Sequence, residues 1–159
     1  MFDYIIIGAG SAGCVLANRL SADPHVRVLL LEAGPRDRHP FIHMPAGLAK
    51  LVNNMRVNWD YRTAPEAQLD GRTLWWPRGK VLGGSSSINA MCYTRGVAGD
   101  YDEWAALGAE GWDWRSVLPY FRRSERNARG ADALHGDEGP LYVSDLRHSN
   151  PLSHALILV

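Results

Sequence analysis

The sequence is short of lysine, cysteine and long apolar runs, and each shortage excludes something. Among its 159 residues only Lys50 and Lys80 are lysines, and 17 basic residues balance 17 acidic ones. A net charge of zero gives no global field to gather nucleic acid or an anionic membrane. Two cysteines, Cys14 and Cys92, make neither a disulfide framework nor a metal cluster. Both lie among small or apolar residues, where a thiol packs as a small hydrophobe. No stretch reaches the roughly 18–20 apolar residues of a membrane-spanning helix. The start, "MFDYIIIGAG", lacks the basic opening and uninterrupted apolar core of a secretory leader. These absences point to a soluble protein in a reducing, cytoplasmic setting. The six histidines show no H-E-x-x-H or paired-ligand spacing. No metal is therefore expected, and His135, His148 and His154 read as loop or surface residues.

What is present begins with an α/β pattern. "YIIIG" (Tyr4 to Gly8) is a short β-branched run, as expected of a strand covered on both faces. A helical stretch follows with Cys14, Val15, Ala17 and Leu20 on its apolar side, ended by Asp23-Pro24. A second buried strand is expected over Val26 to Leu31. Strand, glycine turn, helix and strand within residues 3–34 make a βαβ unit of a parallel sheet. Residues 35–76 are rich in proline and hold no period, which predicts loops with a helical piece at Ala46 to Val52. Trp59, Trp75 and Trp76 argue that these loops are ordered.

Further on, Asp100 reads as a helix N-cap with Glu103 three positions later and Gly108 as the stop. Trp114, Val117, Leu118 and Phe121 share a helical face, with Pro119 as a candidate kink. Arg122, Arg126 and Arg129 could share a face as well, interrupted by Glu125, and read as solvated. "GPLYVSD" (Gly139 to Asp145) predicts a short strand. Asn150 caps a last helix that opens with Pro151. That helix runs out at Val159 and the sheet lacks most of its strands, so the chain is expected to be the first part of a longer one.

"GAGSAG" (Gly8 to Gly13) fits G-x-G-x-x-G between a strand and a helix. Gly8 allows the tight turn, Gly10 lets a pyrophosphate lie against main chain, and Gly13 lets helix and strand pack closely. The helix start offers N–H groups and partial positive charge to phosphates. Glu32, nineteen residues after Gly13, ends the second strand, where a carboxylate accepts ribose hydroxyls and repels a 2′-phosphate. The same residues fit a nucleophile elbow at Ser11 poorly, because Ala9 stands where glycine is needed. Val81 likewise spoils a Walker A reading of "GKV".

A second main-chain-exposing segment lies at "PRGKVLGGSSSINAMCYTRG" (Pro77 to Gly96). Gly83 and Gly84 permit close approach, Ser85 can bond a phosphate, and Asn89 can orient a flat ring. The packable residues flanking the serines rule out a flexible linker.

Residues 79–102, "GKVLGGSSSINAMCYTRGVAGDYD", resemble the first signature of the glucose–methanol–choline (GMC) flavin oxidoreductases. "DYIIIGAGSAGCVLANRLS", "LLLEAGP", "NWDYRTAP", "GWDWRSVLPYF" and "HGDEGPLYVSD" are similar to that family's blocks, in order. The likeness is strongest to bacterial choline dehydrogenases and acceptor-linked alcohol dehydrogenases. It implies a Rossmann-like FAD-binding domain, incomplete here, with a flavin-contacting signature over 77–102 and a helical and short-strand segment over 103–159. It also implies that Ser11 and Ala12 reach the FAD pyrophosphate, and that Glu32, with Ala33 beside it, serves the adenosine ribose. Val81, Ser85 and the run Asn89, Ala90, Met91, Cys92 would line the flavin and its diphosphate arm. Members with covalent flavin carry histidine where this chain has Ile88, so dissociable FAD is expected. The family's catalytic histidine belongs to a later block with no match here, so no catalytic residue is assigned. A small alcohol and an electron acceptor are the implied partners, and peripheral attachment at the inner membrane is compatible with the likeness. The competing readings are a non-catalytic dinucleotide-binding module and an acyl hydrolase using Ser11.

Overall fold

The computed structural model describes residues 1–147 and 150–157. The chain divides into two compact units, Met1–Cys92 and Tyr93–Val159. In the first, β1 (Tyr4–Ile7) pairs in parallel with β2 (Val28–Leu31), Tyr4 opposite Val28 and Ile7 opposite Leu31, with α1 (Ser11–Leu20) as the crossover. This is the expected βαβ unit of an α/β fold.

Two details differ from expectation. β2 starts at Val28, not Val26. The Val26 N–H closes a turn on the Asp23 carbonyl (3.1 Å) and the Arg27 N–H is taken by the Asp3 carboxylate (2.7 Å). Nor is β1 covered on both faces: Ile5 is 61% and Ile7 87% exposed.

The proline-rich loops are ordered by a buried amide. Asn58 donates from Nδ2 to the Val52 carbonyl at 2.7 Å, and its Oδ1 accepts from the N–H groups of Asp60 and Arg78. A buried amide bonded through both its nitrogen and its oxygen fixes loop geometry. Around it lie α2 (Leu48–Leu51), shorter than the expected 46–52, and an antiparallel pair of β3 (Tyr61–Arg62) with β4 (Trp75–Trp76). The core here is Leu51, Val57, Val81 and Ile88, with Phe41 and Ile42 against it.

In the second unit, α3 (Ala98–Ala106) and α4 (Trp114–Ser124) meet through Tyr101, whose ring lies 5.3–5.6 Å from those of Trp104, Trp114 and Phe121. Asp100 is not the N-cap of α3. Val97 holds that place and Asp100, one turn in, accepts the Val97 N–H at 2.9 Å. α4 is capped by Asp113 and continues through Pro119, which lies on its exposed side with Trp114, Val117, Leu118 and Phe121 turned inward. The helix stops at Ser124, so Arg126 and Arg129 share no helical face with Arg122. Instead β5 (Glu125–Asn127) pairs in parallel with β6 (Leu141–Val143) across a loop crossover. The closing α5 (Pro151–Ile157) is capped as expected, Asn150 Oδ1 accepting the Leu152 N–H at 2.9 Å. No described helix is long and apolar enough to cross a membrane. The expectation for His148 lies outside the described residues, as does that for the His154 side chain.

Candidate functional site

The strand-to-helix turn and the serine-rich segment fold onto each other. Gly8 takes φ +95°, a conformation glycine alone adopts without strain, and swings the chain from β1 into α1. A Cβ on Gly13 would overlap the Gly8 carbonyl, so only glycine lets the helix sit this close to the turn. By contrast, a Cβ on Gly8 or Gly10 would meet nothing within 4 Å. The main chain there borders open space that a side chain would partly fill. No side chain caps α1 and no acidic residue lies in its first turn. The N–H groups of Ser11, Ala12 and Gly13 therefore keep their partial positive charge, and Ser11 and Ala12 are exposed.

Against this turn lies the second glycine segment. The Gly83 N–H donates to the Ala9 carbonyl at 2.7 Å, and a Cβ on Gly84 would come within 2.8 Å of the Gly10 Cα. Gly83 and Gly84 both have positive φ, +94° and +59°. A short 3-10 helix over Gly84–Ser87 then carries Ser86 to Ser11, their hydroxyls 2.5 Å apart. Ser85 Oγ accepts the Gly79 N–H at 3.1 Å, which leaves its hydroxyl proton for another acceptor. The two segments are one cradle.

Glu32 is fixed at its rim. Its Oε2 accepts the Ala9 N–H at 2.8 Å and its Oε1 the Gly34 N–H at 2.9 Å. A carboxylate accepts about four hydrogen bonds, so about half its capacity remains for hydroxyl donors. Ala33 beside it is exposed. Gly34 has a reason of its own: a Cβ there would overlap the Lys80 carbonyl, so the end of β2 rests on the signature segment.

Beyond the cradle, Val81 and Ile88 turn their side chains into the core, 0% and 4% exposed. Whatever Val81 offers a ligand comes from its main chain. Asn89, Ala90, Met91 and Cys92 are exposed. Asn89 Oδ1 accepts the Met91 N–H at 2.9 Å, and Met91 takes a left-handed φ of +57°, uncommon for a non-glycine residue. Ser86, Asn89 and Met91 line a narrow crevice together with Phe41, Ile42 and Met44.

Sequence reasoning missed Ser86, since nothing in a run of three serines singles one out. The 3-10 geometry does. The partner of Ser11 Oγ is this second hydroxyl and not an imidazole, which leaves the hydrolase reading without a base. Among the described residues no cluster suits a metal ion.

The family model described as GMC oxidoreductase matches residues 2–158. The chain belongs to the GMC oxidoreductase family. It is 57% identical over 158 residues to an alcohol dehydrogenase [acceptor] of Pseudomonas putida, covering 99% of this chain and 29% of that protein. It is 50% identical over 163 residues to a mitochondrial choline dehydrogenase of Mus musculus, covering 98% and 27%. Among solved structures, pyridoxine 4-oxidase from Mesorbium loti matches with a TM-score of 0.91 and 41% identity, over 99% of this chain and 31% of that one. An FAD-dependent oxidoreductase from Chaetomium thermophilum matches at 0.80 and 36%, over 97% and 28%. This GMC chain thus spans less than a third of the relatives it matches, and its fold is the corresponding part of their Rossmann-like domain.

Proposed function

We propose that this chain is the first part of the FAD-binding domain of a GMC oxidoreductase acting on CH–OH groups, of the alcohol or choline dehydrogenase type. The observation that carries the reading is the seating of Gly84 on Gly10 beside an uncapped helix start and a fixed Glu32. The likeness to dehydrogenases so named in Pseudomonas putida and Mus musculus supports the reaction class.

The residues present fit FAD. The main chain at Gly8 and Gly10 borders open space against which a pyrophosphate would lie, and the first-turn N–H groups of Ser11 and Ala12 would bond it. Gly13 keeps the helix close, and Glu32 would hold the adenosine ribose, its negative charge excluding a 2′-phosphate. Ser85 and the main chain of Gly83, Gly84 and Val81 would serve the diphosphate arm. The exposed run Asn89, Ala90, Met91 and Cys92 would border the ring. When bound, FAD supplies the hydride acceptor for alcohol oxidation. The proton acceptor for the hydroxyl is assigned to no residue of this chain; it belongs to the histidine block expected after Val159. Ile88 is aliphatic and buried, so the FAD is held without a covalent bond.

In this reading residues 3–34 hold the adenosine end and 77–102, the flavin-contacting signature, the flavin end. The partners are a small alcohol and an electron acceptor, and the setting is cytoplasmic; peripheral attachment at the inner membrane is compatible with the family likeness but is argued by no segment of this chain. The test is to purify the full-length protein and record its visible spectrum, then precipitate it with acid. Flavin bands that pass into the supernatant, with alcohol-dependent dye reduction beforehand, are the expected result. A colourless protein inert to alcohols sinks the proposal, and flavin left in the pellet refutes non-covalent attachment.

A further inference from the structure

The first unit holds a buried amide one step removed from the cofactor cradle. Asn58 is 2% exposed. Its Nδ2 donates to the Val52 carbonyl at 2.7 Å, and its Oδ1 accepts the N–H groups of Asp60 at 3.0 Å and Arg78 at 2.9 Å. An aspartate would match the two acceptor contacts and leave the Val52 carbonyl without its donor.

The start of the signature segment is held by this amide and its neighbours. The Arg78 N–H goes to Asn58 Oδ1, the Arg78 carbonyl accepts the Trp59 N–H at 2.8 Å, and the Lys80 N–H donates to the Val57 carbonyl at 2.8 Å. Of these three hydrogen bonds only that of Asn58 comes from a side chain. Between them Gly79 forms an antiparallel bridge with Asn58. Successive N–H groups of an extended chain point to opposite sides. With the N–H groups of Arg78 and Lys80 turned to residues 57 and 58, that of Gly79 faces the other way, where it meets Ser85 Oγ at 3.1 Å.

The fit at Gly79 is close. A Cβ there would lie 2.1 Å from the Gly84 carbonyl oxygen and 2.6 Å from the Ser85 nitrogen, so its main chain rests directly on these two residues. Gly84 in turn is the residue seated on Gly10. The Gly79 N–H fills one lone pair of Ser85 Oγ and leaves the hydroxyl proton for another acceptor. A turn of the 78–79 peptide would withdraw that donor and free the hydroxyl to rotate.

We propose that Asn58 is a positioning residue for the cofactor site: by holding Arg78 it aims the Gly79 N–H at Ser85 Oγ, and so keeps the Ser85 hydroxyl proton free for the diphosphate arm of FAD. The inference rests on the FAD reading for its ligand, whereas the contacts from Asn58 to Ser85 all lie within Met1–Cys92.

The experiment uses the full-length protein and the variants N58D, N58A, S85A and N58A/S85A. N58D keeps an oxygen for the Arg78 and Asp60 N–H groups but turns a second oxygen toward the Val52 carbonyl. N58A loses all three bonds. The readings are the thermal midpoint, FAD affinity by flavin fluorescence titration, and hydrogen exchange of peptides covering 77–88. Both N58D and N58A should melt earlier. FAD should be held about tenfold more weakly in N58A and within about twofold of wild type in N58D. Exchange over 77–88 should quicken in N58A, and N58A should add little to the affinity loss of S85A, because both remove the same contact. A merely structural role makes affinity follow the midpoint in N58D as in N58A, and makes the N58A and S85A losses add. Either result overturns the proposal, as does wild-type affinity or wild-type exchange in a folded N58A. If N58A does not fold, N58D decides: affinity near wild type at a lowered midpoint supports the proposal, and a loss as large as that expected of N58A overturns it. A wild-type protein without flavin removes the proposed function instead, and exchange over 77–88 then decides the positioning alone.

Discussion

Replacing Gly10 by alanine should separate the cofactor site from the fold. Gly10 has φ −78°, which alanine adopts freely, and the added methyl would touch no protein atom within 4 Å. Alanine is a poorer N-cap than glycine by up to about 1 kcal/mol. It also narrows the unfolded ensemble, which returns about 0.4–1 kcal/mol. Folding stability should therefore change by less than about 1 kcal/mol. The methyl does, however, stand in the open space against which a pyrophosphate would lie. Pushing that anion off the helix start weakens one or two charge-assisted hydrogen bonds, each contributing about 1.5–3 kcal/mol. A loss of roughly 2–4 kcal/mol is about 30- to 1,000-fold in affinity. Flavin fluorescence titration of full-length G10A, beside its thermal midpoint, is the assay. Gly84→Ala is the contrast, because alanine at φ +59° is strained and its Cβ would press on the Gly10 Cα. That variant should lose stability by about 2–4 kcal/mol. A G10A protein that binds FAD like wild type, or one that loses binding only because it unfolds, refutes the reasoning.

Other outcomes follow from the same geometry. Ile88→Ala deletes most of a side chain buried beside Leu51, Val57 and Val81, and should cost about 2–4 kcal/mol in denaturant unfolding. Glu32→Gln keeps one acceptor oxygen where two main-chain N–H groups are now bound, so FAD affinity should fall and a 2′-phosphorylated dinucleotide should be repelled less. Burial pushes the Glu125 carboxyl up, but the hydrogen bonds of His135, Asn127 and Gly136 and the charge of Arg95 outweigh it and hold it below the ordinary 4.5. Its contribution is thus in full force above that value and fades as pH falls through the lower folded pKa. Stability of the second unit in the acid range below 4.5 should depend on pH less steeply in E125Q. Asp113→Ala removes the acceptor that caps α4 at the Ser116 N–H, whereas D113N keeps an acceptor there; circular dichroism melts should rank wild type, D113N, D113A.

The βαβ unit was legible because everything that defines it is local: β-branched runs, a glycine turn, a helix and an acid within about thirty residues. The pairing of the two glycine segments could be argued from their shared lack of side chains, yet not their register. That Gly84 meets Gly10 and Ser86 meets Ser11, across seventy-odd residues, is set by tertiary packing. The same limit explains Glu125. In the sequence it interrupts a run of arginines on what reads as a solvated face, but α4 ends one residue earlier and β5 turns it inward to Arg95 and His135, thirty and ten residues away. The β3–β4 pair escaped notice because two-residue strands carry no period. Asp100 was placed one turn early because its carboxylate reaches back to the Val97 N–H, a role the residue spacing alone does not distinguish from an N-cap. Exposed Ile5 and Ile7 show the opposite failure: an apolar run predicts that burial is favourable, not which atoms supply it.

The most direct measurement is the structure of the full-length protein with its bound cofactor. The pyrophosphate oxygens should lie about 2.7–3.2 Å from the N–H groups of Ser11 and Ala12, over Gly10 and beside Gly84, with a ribose on Glu32. A dinucleotide found elsewhere, with Gly10 facing only solvent, would contradict the account.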